Sequence, residues 1–437
     1  MLAILLVLAG VYATAASYHL HQVNTEILKA DQRAYLAYAR QMNVSQYDVV
    51  GGRNQMPVYP FLISLIDPGE VELDELFVRA KTMNVALSML VLVGVYLLAR
   101  RSIPGFEAFA LTTIVAFTVF LYRSGYAQAE LLYYGLFFLS FLLALSLLGE
   151  PRPGVAVMAG IVLGVSYLTK ASVLPLLAAY VFWALVSSAV SARSGEPSWT
   201  SLRAVATTLV VVLVFFATVF PYIQTSKQQF GRWFYNVNTS IYMWADSWDE
   251  VKEVMRGSGD REHWPDVPEE LLPSPRRYFA EHSVGDIAVR IAQGMWTSEL
   301  RHLIEKPFGY GKYLIFYCVV ALAVVVRARE KVVETCIADG RWVKTAFVMT
   351  VIAGYVVAYA FYSPIVRGPR LVLALYLPAM FSIFWLLTRK PIATISLWAS
   401  ETRELRLAHV HIAALAMLAI DLVFRMPTVI ATAFAGA

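Results

Sequence analysis

Apolar residues in this chain come in long runs and not in alternation. Eleven segments are almost free of charge, at roughly 2–20, 83–99, 104–122, 131–149, 154–169, 171–190, 204–222, 311–326, 345–362, 371–388 and 410–424. Several run for about twenty residues, enough to cross ~30 Å of hydrocarbon as helix. A membrane β-barrel would need strand-type alternation, which is missing. The pattern predicts an all-α polytopic membrane protein of about eleven transmembrane helices. Two intervals, 21–82 and 223–310, are too long to be simple connections and are predicted to be extramembrane loops carrying short helices. They divide the chain into an N-terminal transmembrane module at 1–222, which contains the first loop, a loop region at 223–310, and closing helices at 311–437.

Basic residues orient the spans. With the N-terminus inside, the cytoplasmic connections hold Arg100, Arg101, Arg152, Arg193, Arg203, Arg327, Arg329, Lys331, Arg341, Lys344, Arg389, Lys390, Arg403 and Arg406. The short loops opposite hold only Arg123, Lys170, Arg367 and Arg370. Lysine and arginine in short loops stay on the cytoplasmic side, whereas long loops are exempt, so both 21–82 and 223–310 are predicted outside. The first segment is read as a retained span. Ala13–Ser17 offers the small residues of a cleavage site, but the basic start of a signal peptide is absent.

Composition agrees with this reading. Hydrophobic residues make up 58% of the chain, charged residues only 15%, and the mean hydropathy is +0.59. Soluble proteins carry about a quarter charged residues, so a soluble enzyme, a disordered chain and a collagen-like scaffold are excluded. Cys318 lies in an apolar segment and Cys336 in a basic linker, which gives no disulfide framework. The net charge of +5 follows from the basic inner loops and predicts no nucleic-acid partner.

In the first loop, Tyr35, Tyr38 and Met42 recur at helical spacing across Asp31–Met42, predicting an amphipathic helix suited to the membrane interface. A turn at Gly51-Gly52 and a return through Pro57–Ile66 follow. The second loop holds Trp233, Trp244, Trp248, Trp264 and Trp296, a residue type enriched at headgroup level. Pro265, Pro268, Pro273 and Pro275 divide it. Ser274 with Pro275 predicts an N-capped helix running to about Gln293.

Charge at membrane depth is costly, so residues that carry it there are functional candidates. On the outer side these are Asp31, Glu130, Arg123, Lys170, Arg367 and Arg370. Each has a plainer reading. Asp31 and Glu130 open helices, where the helix dipole favours an acid. Lys170 can extend to the interface. Arg367 and Arg370 bracket Gly368-Pro369 in a short loop, against the charge bias, where they are suited to a lipid phosphate. No HExxH, CxxC, Walker or dinucleotide motif occurs.

Four segments, in order, resemble one family. Asp31-Gln-Arg-Ala-Tyr-Leu-Ala-Tyr-Ala-Arg40 is similar to the D-E-x-x-Y-x-x-x-A segment of GT-C membrane glycosyltransferases, within the protein O-mannosyltransferase and aminoarabinose transferase branch. Met56-Pro-Val-Tyr-Pro-Phe-Leu-Ile-Ser-Leu65 resembles P-L-Y-P-x-L-x-x-L, and Ala159 through Lys170 resembles A-G-x-x-x-G-x-x-x-L-T-K. Arg370-Leu-Val-Leu-Ala-Leu-Tyr-Leu-Pro378 resembles the late R-Y-x-x-P-x-x-P segment, without the aromatic after the arginine. The resemblance spans residues 1 to about 390.

It implies a GT-C-like architecture in the plasma (inner) membrane, with the active site facing the periplasm or exterior. A polyprenyl-phosphate-linked sugar is the implied donor, and a hydroxyl on a lipid, glycan or protein the acceptor. By the same resemblance Asp31 matches the catalytic acid, Glu130 a second acidic position, and Lys170 and Arg370 the donor-phosphate cations; Arg123 and Arg367, by their outer-side position, are further phosphate candidates. Gln32 stands where many relatives carry a second acid. A divalent metal therefore has no ligand motif to support it, and no other cofactor is implied. Asp31 is placed to act as general base on the acceptor hydroxyl, while cations stabilise the departing phosphate. Inversion at the sugar follows from the resemblance. The competing reading is a secondary transporter, which Asp421 within an apolar segment favours, or a flippase-like protein that binds sugar-lipids.

Overall fold

The computed structural model describes residues 2–47, 53–67, 69, 71–193, 198–258, 268, 270–300, 310–366, 372–393, 398–399, 404–405 and 407–424. The protein is an all-α membrane protein. Among the described residues, eight helices are long and apolar enough to cross a bilayer: Ile4–Val23, Leu73–Ala99, Gly105–Ser124, Glu130–Gly149, Ala171–Arg193, Ser201–Phe230, Tyr310–Arg327 and Trp342–Tyr362. Three shorter apolar helices, Pro153–Thr169, Leu373–Leu387 and His409–Phe424, occupy the other three positions expected from the apolar runs. Helix is forced here because the hydrocarbon offers no partner for backbone N–H and C=O groups. The one strand pair among the described residues joins Trp398–Ala399 to Glu404–Leu405.

Gly105–Ser124 and Glu130–Gly149 form the centre of the bundle, each with more than half of its residues buried. Phe137 packs edge-on against Tyr355, Phe138 against Phe381, and Phe141 stacks on Phe347, which ties the centre to the last third of the chain. The tightest helix pair is Pro153–Thr169 against Ser198–Phe230. A Cβ at Gly160 would stand 2.8 Å from the Val211 carbonyl oxygen, and one at Gly164 only 2.6 Å from Thr218. Small residues at four-residue spacing bring these helix backbones together.

The first long interval, 21–82, forms helices Gln32–Val44 and Val58–Ser64 before the helix Leu73–Ala99 begins. The apolar face that the spacing assigns to the membrane interface is covered by protein instead. Tyr35, Leu36 and Ala39 pack with Tyr59 and Ile63, and with Leu76, Phe77 and Ala80 of the helix Leu73–Ala99. The Pro57–Ile66 return brings its own apolar side back over that face before lipid can reach it. The expected turn at Gly51-Gly52 lies outside the described residues.

In the second segment, Ser274 caps Pro275–Glu281 by accepting the Arg277 N–H at 3.3 Å. The single helix expected to about Gln293 is two helices. Ser283 and Asp286 form a capping box that starts Val284–Gly294 afresh. Gly294 is pressed so close to the Trp342–Tyr362 helix that a Cβ would meet the Ala360 carbonyl oxygen at 1.9 Å. Trp244 is enclosed by Tyr278, Phe279 and Phe361, whereas Trp233, Trp248 and Trp296 are exposed, and Trp264 lies outside the described residues. Asp421 is paired, with Lys312 Nζ 3.2 Å and Tyr313 Oη 3.3 Å from its Oδ2, so its charge in the apolar run has structural partners.

Candidate functional site

Asp31 occupies the N-cap position of Gln32–Val44. Its carbonyl oxygen accepts the Tyr35 N–H at 3.2 Å, but its carboxyl makes no capping bond. Ala30 just before it has φ 53°, a left-handed conformation that costs a non-glycine residue about 1–2 kcal/mol. Local geometry at this loop–helix junction is thus imposed by the surrounding structure and not by preference of the chain.

Lys170 owes its place to a break in an otherwise continuous apolar run. Pro153–Thr169 ends where Lys170 turns extended, at φ −154° and ψ 126°, and a short turn at Ala171–Val173 leads into the next helix. The Lys170 side chain is mostly buried and its Nζ donates to Glu130 Oε1 at 2.8 Å. Glu130 opens the central helix Glu130–Gly149 and is 2% exposed. Its charge also reaches the Arg123 guanidinium, which lies 5.5 Å from the Tyr122 ring. The Tyr59 phenol nearby is held protonated, well above its ordinary range, by burial first and the Glu130 charge second.

Asp31 and Lys170 line one cavity of about 660 Å³. Glu130 and Arg123 are not part of its lining; Glu130 reaches it through Lys170. Arg367 and Arg370 lie outside the described residues. The opposite wall is neutral and polar: Asn54 and Gln55 come from the first segment, Asn238 and Trp248 from the second, and Tyr359 and Tyr362 from Trp342–Tyr362. Asn238 Nδ2 donates to Asn54 Oδ1 at 3.1 Å, and Tyr362 Oη donates to Asn238 Oδ1 at 3.0 Å, which sets the amide's orientation.

A buried arginine joins the two segments that make this wall. Arg53 is 0% exposed, with its guanidinium 3.8 Å above the Tyr222 ring and Nη2 donating to Thr225 Oγ1 at 2.8 Å. The Arg53 carbonyl oxygen in turn accepts from Val237 N–H and Asn236 Nδ2. The cavity is therefore closed by side chains that are distant in sequence but share hydrogen bonds.

Gln32 is not a substitute for a second acid. It is fully buried, and its Nε2 donates to Asn24 Oδ1 and to the carbonyl oxygens of Glu26 and Lys29, at 3.1–3.3 Å. Its Oε1 accepts from Asn24 Nδ2 and from the Ala127 N–H at 3.0 Å. Its Oε1 staples the first segment to Ala127, while its N–H groups hold Asn24, Glu26 and Lys29 within that segment with donors that a carboxylate lacks. Among the described residues no three His, Cys, Asp or Glu side chains converge into a cluster able to hold a metal ion.

The spacing arguments find Asp31 and Lys170 but miss Arg33, Asn54, Asn238, Trp248, Tyr359 and Tyr362, all in the cavity wall. Asn238 stands out in the sequence only as part of a glycosylation-type triplet with Thr239 and Ser240. Nothing local marks the others.

No family model matches the chain, and no curated protein matches it. Two solved structures resemble it in fold, both loosely. One is ArnT from Cupriavidus metallidurans, bound to undecaprenyl phosphate, with 16% identity and a TM-score of 0.36 over 88% of this chain and 76% of that one. The other is an oligosaccharyltransferase from Archaeoglobus fulgidus, in a complex with zinc and sulfate, with 14% identity and a TM-score of 0.33. That match covers 88% of this chain but only 52% of the other.

Proposed function

We propose that this protein is a GT-C type glycosyltransferase that moves a sugar from a polyprenyl-phosphate donor to a hydroxyl acceptor, at the membrane face that carries its two extramembrane segments. The observation that carries the reading is that Asp31 and Lys170 line one cavity. An acid and a cation held together at the end of a membrane bundle suit the two charge changes of the reaction. As the acceptor oxygen attacks the anomeric carbon, its proton passes to the Asp31 carboxylate, which acts as general base. The C–O bond to the donor phosphate breaks, and that phosphate takes the bonding electrons. Lys170 stabilises the charge that develops there. Glu130, behind the wall, is a positioning residue that aims the lysine. Arg370 is the second phosphate cation in this reading, on the sequence resemblance alone. The amides, Trp248 and tyrosines of the far wall present neutral hydrogen-bonding groups to the sugar and acceptor.

The test separates transfer from transport. Asp31→Asn keeps the shape and removes the base, so turnover falls about 10²–10⁴-fold while polyprenyl-phosphate binding persists. Lys170→Gln weakens binding of the same lipid. Mass spectrometry of lipid-linked sugars and glycans, with wild-type and Asp31→Asn protein, reads the first effect. Unchanged product with the Asp31→Asn protein refutes the mechanism.

A further inference from the structure

At the other end of the bundle, away from Asp31 and Lys170, a second cavity of about 450 Å³ opens where Glu130–Gly149 ends. Arg152 and Arg203 line it with one carboxylate, Glu150. Arg152 pairs with Glu150, and Arg203 is exposed with no ion-pair partner among the described residues. A third cation stands beside them: Lys344 Nζ lies so close over Gly149 that a Cβ there would be 2.2 Å away. Two arginines thus face one carboxylate in the lining, with Lys344 adding a third positive charge beside it.

The neutral groups of this cavity are also sorted. Thr208 donates to the Ala204 carbonyl oxygen at 2.8 Å, and Ser188 to that of Ala184 at 2.8 Å. These hydroxyls have used their donors and keep acceptor lone pairs. Ser201 Oγ is buried, lines the cavity and has no hydrogen-bond partner among the described residues. Leu147 and Leu148 give the cavity an apolar side.

We propose that this cavity binds a phospholipid headgroup from the leaflet opposite the Asp31–Lys170 cavity. The phosphate sits on Arg203 and Ser201, within the excess positive field. Its amine or hydroxyl substituent meets the lone pairs of Ser188 and Thr208, and the first acyl carbons lie along Leu147 and Leu148. Such a lipid would clamp the helices reaching Arg193 and starting at Ser198, at the side away from the transfer chemistry.

The full chain, purified in detergent and stripped of lipid, is titrated with phosphatidylethanolamine and phosphatidylglycerol and read by native mass spectrometry. Inorganic phosphate serves as competitor. One phospholipid is expected to bind tightly. Arg203→Ala should weaken it at least about ten-fold, the loss of one charge-assisted contact, and Ser188→Trp should block the space. Arg101→Ala, an exposed arginine outside the cavity, should change nothing. Arg203 is exposed, so its removal leaves the fold intact and the test open even where Ser188→Trp fails to fold. Equal lipid binding by wild type and Arg203→Ala overturns the proposal. Displacement of the lipid by millimolar phosphate overturns the lipid as its source and assigns the site to soluble phosphate compounds.

Discussion

Removing either partner of the Glu130–Lys170 pair should have unequal consequences, and the inequality follows from burial. The two side chains meet at 2.8 Å, with Glu130 3% and Lys170 18% exposed. Lys170→Met leaves the Glu130 carboxylate in a dry wall, with Arg123 as its remaining neighbour of opposite charge. Stranding one member of a buried pair costs about 3–5 kcal/mol, and the residual Arg123 attraction puts this case at the lower end, near 3 kcal/mol. Glu130→Gln leaves an ammonium that already reaches the cavity and can be hydrated there, while the glutamine oxygen still accepts its hydrogen bond. That loss is close to one charge-assisted contact, about 1.5 kcal/mol. The difference of ~1.5 kcal/mol is measurable by equilibrium unfolding in mixed micelles. Function should split the other way. Lys170→Met loses polyprenyl-phosphate binding, whereas Glu130→Gln retains it and loses about one to two decades of turnover through misplacement of the lysine. Equal destabilisation by the two variants, or greater loss with Glu130→Gln, would show that Glu130 is not the buried, dependent partner.

Gln32→Glu, which installs the acid that the family pattern carries, should destabilise the protein by about 3 kcal/mol or more. It removes donors to Asn24, Glu26 and Lys29 and buries a charge; a stable variant with added metal affinity would contradict the staple role. Gly125→Ala places a Cβ 1.8 Å from His19 Nδ1 and should cost about 1–3 kcal/mol by overpacking. His19→Ala in the same protein should return part of that loss, and the double-mutant cycle in unfolding free energy checks it. At the second segment, hydrogen bonds from Ser283 hold the Asp286 carboxyl below its usual value of 3.8. The folded pKa is depressed, so the capping box contributes above the unfolded pKa and is lost as pH falls through the lower folded value. Hydrogen exchange at the first turn of Val284–Gly294 should therefore accelerate only at pH below about 4, and Ser283→Ala should remove that pH dependence.

The apolar runs by themselves determined that this is a helical membrane protein, and where its apolar helices lie, eight of them among the described residues long enough to cross a bilayer. In hydrocarbon each helix must satisfy its own backbone, so a charge-free stretch of sufficient length leaves no alternative. Two residues that line one cavity, Asp31 and Lys170, stand out in the sequence because charge is expensive at the edge of the bilayer. Local signals also placed the Ser274 cap, but not the second start at Ser283, because Ser-x-x-Asp competes there with a continuing apolar pattern. Tertiary structure alone decided the rest. Whether the Tyr35 face meets lipid or protein depends on Tyr59 and Ile63 folding back onto it, and periodicity is identical in both cases. Glu130 reads like a helix-opening acid until Lys170, forty positions later, comes within 2.8 Å. Gln32 reads as a missing acid until its five hydrogen bonds show a staple. Asn54, Asn238 and Tyr362 are ordinary polar or aromatic residues until Arg53 binds the two segments together. A hydrogen bond between residues far apart in the chain leaves no periodic trace in the sequence, and the cavity is built from such bonds.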